Sequence, residues 1–273
     1  MGDRLKNRVA IVTGGARGIG EGCAKALAAD PAIKAVLVTH NETSTGVTNP
    51  LEEIARVVRQ TDRLLLVDAV SSLGAIPLDT DGWGLDAVVT GSQKGWMVPP
   101  GLTFVCLSER AWKANESARM PRFYFDAAKH RDLLHKGQTP WTPTVSVFFG
   151  LDVALERMAV EGLESIHARH AAIARIVRER VKALGLELLA ADERYASSTV
   201  TAIKCPEGVE VKALRTMLED EHGVVVAGGQ GKLAGKIFRI GHLGLVSEDD
   251  IRHALDALSE ALPRVGFNIP VGR

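Results

Sequence analysis

VTGSQKGWMVPPG, residues 89–101, runs from apolar residues straight into a lysine set among Gly91, Ser92, Gln93 and Gly95. The residues before it, LDAVVTGS, have the look of a strand buried inside a parallel sheet. Two other stretches end in the same manner. THNETSTGV (39–47) closes an apolar run with hydroxyls, and LLLVDAVSSLG (64–74) closes one with a carboxylate, Asp68. Open α/β sheets place their ligands outside such carboxyl-terminal strand ends. A lysine at the mouth of a sheet can shed its proton through desolvation and act as a nucleophile.

Working outward, short apolar runs alternate with helical patterns through the first half. VAIV, KAVLVTH, RLLLVDAV, LDAVVTGS and LTFVCLS are expected as strands buried on both faces, which implies a largely parallel sheet. Asn49 is expected to cap a helix with Pro50 at its first position and Glu52 and Glu53 in its first turn. After the turn-rich QTPWTP, helical spacing runs from about Val145 to Leu184 and breaks near Gly162. The last third changes character. SSTVTAIKCP, GVVVAGG and KIFRIGHLG are expected as strands, and Ser247 with Asp250 forms a capping-box pattern before a final helix.

Composition narrows the classes. Apolar residues make up 46% and charged residues 24% of the 273, as in a soluble globular protein. Thirty-three Lys and Arg balance thirty-three Asp and Glu, so no net field points to nucleic acid or an anionic membrane. Cys23, Cys106 and Cys205 are odd in number and far apart, against a disulfide framework or a CxxC metal site, and the eight histidines show no HxxxH or HExxH spacing. Without a membrane span or leader pattern, a cytoplasmic protein is expected.

Lys94 and Asp68 at neighbouring strand ends are what a protein contributes to pyridoxal phosphate (PLP) chemistry. With GSQKG, VDAVSS and HNETSTG in this order, the chain resembles the class V aminotransferases of PLP fold type I, most closely the alanine/serine–glyoxylate branch, from about residue 28 onward. The resemblance implies that Lys94 carries the cofactor covalently and then moves a proton. It implies that Asp68 pairs with the pyridine nitrogen, Val70 packs on a ring face, Thr43 bonds the phenolic oxygen and Gln93 reaches the phosphate. Arg239 in FRIGHLG would hold a substrate carboxylate. QTPWTP resembles a segment that crosses a homodimer interface to the partner's phosphate, which points to Thr142 and Thr139. Singly, these residues have plainer readings: Asp68 as a cap, Lys94 as a surface charge, Arg239 in an ion pair, Trp83 and Trp96 as packing.

The opening VAIVTGGARGIG (9–20) differs. Thr13, Gly14, Gly18 and Gly20 resemble the TGxxxGxG of short-chain dehydrogenases, whose glycines approach a phosphate at a helix N-terminus. That family's tyrosine and lysine four apart are missing, since Tyr124 precedes Lys129 by five and Tyr195 has no lysine near. The expectation is therefore a dehydrogenase-like fragment over 1–28, a truncated PLP-binding large domain over 29–161 and a small α+β domain over 162–273. Such a chain would lack the family's N-terminal phosphate loop and the aromatic residue that stacks on the cofactor ring. The expected function is amino-group transfer between alanine or serine and glyoxylate or pyruvate. The alternatives are a non-catalytic chimeric remnant and an NAD(P)-dependent reductase.

Overall fold

The computed structural model describes residues 10–11 and 33–270. Five strands form the larger sheet in the order β1 (Ala10–Ile11), β2 (Ala35–Thr39), β5 (Leu64–Asp68), β6 (Ala87–Gly91) and β7 (Thr103–Leu107). The first four run parallel, and β7 turns back antiparallel to β6. Ala10 and Ile11 of the VAIV run thus pair into this sheet, while the glycine-rich stretch that follows lies outside the described residues. Parallel neighbours need a crossover, and α1 (Leu51–Val58) provides it between β2 and β5. Its Leu51, Ile54, Ala55 and Val58 pack on Val36, Val38, Leu65, Val67 and Val88.

Two local expectations are corrected. β2 and β5 alternate buried with half-buried positions instead of being buried on both faces, and β7 is largely exposed because it forms the edge. Asn49 does not cap α1. Its side-chain amide donates to the Thr39 carbonyl at 2.8 Å, and Pro50 takes the cap position with no side-chain bond.

Between β2 and α1, β3 (Asn41–Glu42) and β4 (Val47–Thr48) pair as a hairpin. Gly46 in its turn has φ +68°, and a Cβ there would lie 2.9 Å from the Ala202 amide nitrogen. Only glycine permits that approach of the hairpin to the C-terminal half.

That half begins with α4 (Val145–Glu161) and α5 (Leu163–Ala183), separated by Gly162 at φ +81°, after the short helices α2 (Glu109–Glu116) and α3 (Ala127–Leu134). A three-stranded antiparallel sheet follows in the order β8 (Val200–Lys204), β10 (Ile237–Gly241), β9 (Ala227–Gly228). Only the last part of GVVVAGG becomes strand. Val224 and Val226 instead turn into the core of α5, α6 (Val211–His222) and α7 (Glu248–Arg264), around Val177, Ile203, Leu214, Phe238 and Leu258. Ser247 and Asp250 close a complete capping box at the start of α7. Among the described residues no helix is long and apolar enough to cross a membrane.

Leu258 is fully buried on α7, whereas Ser247 acts only at its end. Leu258→Ala is expected to cost about 3 kcal/mol through transfer and cavity terms, and Ser247→Ala about 1 kcal/mol through the lost cap. Urea unfolding of both variants checks this, and equal losses would contradict the placement of the core.

Candidate active site

Three parallel strands end side by side. Thr39 lies beside Asp68 in register, and Asp68 beside Val89, so the THNETSTG hairpin, the DAVSS turn and the Lys94 turn all leave the sheet at one edge. Asp68 is exposed there. Its Oδ1 accepts the Val70 amide at 2.9 Å, and Oδ2 has no partner among the described residues. No described helix directly follows Asp68, so this bond closes a turn and does not cap a helix, and a held oxygen and an open one coexist on one carboxylate. Val70 lies half-buried in the turn that Asp68 holds.

Lys94 is half-buried, and its carbonyl accepts the Met97 amide at 3.0 Å. Met97 is the described non-glycine residue with positive φ, 62°. This conformation is costly and tends to persist where surrounding structure enforces it. A Cβ on Gly95 would meet the Leu73 carbonyl oxygen at 2.7 Å, so glycine is needed for the Lys94 turn to lie against the turn that follows Asp68. Trp96 packs on Phe104 with ring centroids 4.9 Å apart and is a packing residue, while Gln93 is exposed.

A buried polar network joins this edge to the small sheet. The Asn41 amide donates to Ser71 Oγ at 2.9 Å and to Thr199 Oγ1 at 3.0 Å. Ser71 Oγ donates to the Asn41 carbonyl at 2.8 Å, and Thr199 Oγ1 to the Ser71 carbonyl at 3.0 Å. Thr43 Oγ1 adds a bond to Ser71 Oγ at 2.9 Å. None of Asn41, Ser71 and Thr199 stands out in the sequence as a site residue, because the bonds to Thr199 span 128 and 158 positions.

Arg239 comes to the same edge from β10 and is only 7% exposed. The plainer reading of Arg239 as one half of a protein ion pair is not met among the described residues, where backbone carbonyls take its N–H groups. Nε donates to the Gly228 carbonyl at 3.0 Å and Nη1 to the Thr43 carbonyl at 2.8 Å. Among the described residues Nη2 has no protein partner, so one side of the guanidinium fork stays available to a carboxylate. Thr43, Asp68, Val70, Lys94 and Arg239 are thus brought to one strand edge. Thr139 and Thr142 are not. Both are exposed, and Thr139 Oγ1 donates locally to the Trp141 carbonyl at 2.7 Å. A groove of about 330 Å³ lined by Glu52, Arg56, Arg59, Gln60, Gly82 and Trp83 shares none of these residues, so cavity and chemistry lie apart.

The family description "Aminotransferase class-V" matches residues 4–240. The chain belongs to the class V aminotransferases. The match takes in the glycine-rich opening as well, and the dehydrogenase resemblance of residues 1–28 finds no support in it. The chain is 49% identical over 235 residues to the soluble hydrogenase small subunit of Synechococcus sp., covering 86% of this chain and 61% of that protein. It is 39% identical over 242 residues to L-aspartate–glyoxylate aminotransferase of Paracoccus denitrificans, covering 88% and 61%. The crystal structure of pyridoxamine–pyruvate aminotransferase from Mesorhizobium loti matches with a TM-score of 0.87 at 38% identity, over 91% of this chain and 64% of that one. The chain spans about three fifths of the length of these curated relatives. The fold is that of the PLP-dependent aminotransferases, as the resemblance carried by GSQKG, VDAVSS and HNETSTG implied.

Buried histidines lie near this strand edge. Loss of hydration pushes His242 down to about 4. Its Nδ1 faces the Ser198 carbonyl at 3.1 Å and must be the protonated nitrogen, which leaves Nε2 to accept from Thr201 Oγ1 at 2.9 Å. Burial alone takes His40 to about 4 as well. Both rings are neutral when folded but take up a proton near 6.5 when unfolded, so their stability is complete above pH 6.5 and is lost as pH falls toward 4. The loss is at most about 3 kcal/mol for each. Comparing urea midpoints at pH 7.5 and 5.0, we expect His242→Gln to narrow the difference seen in the parent chain. An unchanged difference would show that His242 titrates normally.

Proposed function

We propose that this chain is a PLP-dependent transaminase that moves an amino group between a small amino acid, alanine or serine, and a small 2-oxo acid, glyoxylate or pyruvate. The observation that carries the reading is the shared strand edge, where Asp68 and Lys94 sit in adjacent turns and Arg239 is tied to Thr43. The residues fit the cofactor: a carboxylate oxygen of Asp68 without a partner among the described residues, the half-buried Lys94, and the Thr43 hydroxyl, which would turn from Ser71 Oγ to meet it. Lysine, aspartate, threonine and arginine gathered in this way are groups for amino transfer. That is why this reading is preferred to one taken from the Synechococcus relative's name.

In this reading Asp68 would pair with the ring nitrogen, Val70 would pack against the ring, Thr43 would bond the phenolic oxygen, and Gln93 would reach the phosphate. When bound, PLP supplies an electron sink that makes the substrate's Cα proton acidic. Lys94 Nζ would be the base that takes that proton and the acid that gives it back on the far side of the substrate nitrogen. Arg239 Nη2 holds the substrate carboxylate and orients Cα toward Lys94.

We extend the reading to a cytoplasmic homodimer, built from a large PLP-binding domain (29–161) and a small domain (162–273). In the dimer, Thr142 and Thr139 would serve the phosphate of the opposite subunit. This is supported by the outward face of α4, where Val145, Phe149, Val153 and Val160 are exposed in one stripe opposite the buried Val147, Leu151, Ala154 and Met158. An exposed apolar face of this extent marks an interaction surface.

Titration of the protein with PLP tests the reading. A visible band trapped by borohydride is expected, absent in Lys94→Ala and retained in Arg239→Lys. In Arg239→Lys, kcat/KM for an amino acid should fall by roughly one and a half to four decades, because lysine cannot reproduce the planar fork. A simple primary amine should be nearly indifferent. A band that survives in Lys94→Ala would end the assignment, and equal losses for amine and amino acid would make Arg239 structural.

A further inference from the structure

The loop after β10 backs onto the Lys94 turn. A Cβ on Gly244 would lie 3.3 Å from Met97 Cγ and 3.7 Å from the Lys94 carbonyl oxygen, and Gly244 itself has φ +82°. The peptide groups around Gly244 are gripped by α5 from both sides. Its amide donates to His170 Nε2 at 3.0 Å, and its carbonyl accepts Arg169 Nη1 at 2.9 Å. Arg169 is anchored in turn by two bonds to Glu161, of 2.6 and 3.1 Å.

The protonation of His170 follows from its partners. Nδ1 lies 2.7 Å from the Ile166 carbonyl, which can only accept, so Nδ1 carries the hydrogen and Nε2 is bare. Burial lowers the pKa of this ring, which keeps Nε2 able to accept. At 1% exposure, a histidine on an apolar helix face reads from sequence as a core residue. Here it ends on the backbone that props the turn of the reactive lysine.

We propose that His170, together with Arg169, is a positioning residue for Lys94 and acts through Gly244 and Met97. The proposal rests on the reading of Lys94 as the PLP lysine. α5 holds Gly244 against Met97, and this contact keeps Met97 in its left-handed conformation and so fixes the turn that presents Lys94. Without the His170 acceptor, the Gly244 amide must find another partner, the loop shifts, and the Lys94 turn relaxes. The same loop continues from Arg239, so the lysine and the carboxylate-binding arginine share one support.

The test replaces His170 by Leu, which has no acceptor, and by Gln, whose Oε1 can stand in for Nε2. Arg169→Met is a second route, because that half-buried side chain can be removed at less risk to folding. Hydrogen exchange of the amides in 94–98 and 242–246 is measured without cofactor, and PLP binding is followed by its visible band. His170→Leu and Arg169→Met should each raise exchange in both segments at least tenfold and weaken PLP at least tenfold. kcat should fall more than KM rises, and His170→Gln should restore most of each loss. Unchanged exchange in 94–98, in whichever of the two variants folds, would overturn the proposal. A parent chain that never forms the band, but whose variants loosen 94–98, would refute the lysine reading while leaving the positioning role of His170 in place.

Discussion

The Asn41 side-chain amide is the contact on which the rest of the site depends. It donates at once to Ser71 on the large sheet's edge and to Thr199 beside the small sheet. All three side chains are buried, so each lost partner leaves a polar atom unpaid by water. That penalty makes the arrangement close to all-or-none: the hairpin, the DAVSS turn and the start of β8 are held together, or all three are exposed. Close-packed glycines reinforce it, with Gly46 against Ala202 and Gly95 against Leu73.

From this junction the chemistry is laid out by strand register and by one arginine. Parallel pairing of β2, β5 and β6 puts hydroxyl, carboxylate and amine groups at successive strand ends. The small sheet then supplies what the large sheet lacks, a guanidinium whose position is set by the Thr43 carbonyl. Among the described residues Arg239 is thus neither a free surface charge nor a member of a protein ion pair. Backbone carbonyls hold it, and among the described residues Nη2 has no protein partner.

Much of this was legible in the chain. Apolar runs that stop at Asp68 and at the Lys94 turn mark strand ends directly, because a polar residue there leaves the buried sheet. Gly162 and the Ser247–Asp250 pair also act locally, through φ and through capping, and both stand where the pattern put them. What could not be read depends on distance along the chain. Thr199 looks like any strand-edge threonine until folding brings it to Asn41. Asn49 has the type and place of a cap, yet the Thr39 carbonyl claims its amide. The apolar content of LTFVCLS signalled burial, but a strand's position at the sheet edge is a property of topology and not of composition.

The claim that the two sheets form one site through this network is tested most directly by a double-mutant cycle. Asn41→Ala, Thr199→Val and the double variant are unfolded in urea. Residues in direct hydrogen-bond contact should show a coupling of about 1 kcal/mol or more, within a single transition that takes both sheets together. Additive losses to within about 0.5 kcal/mol, or two separate transitions in the parent chain, would contradict the account.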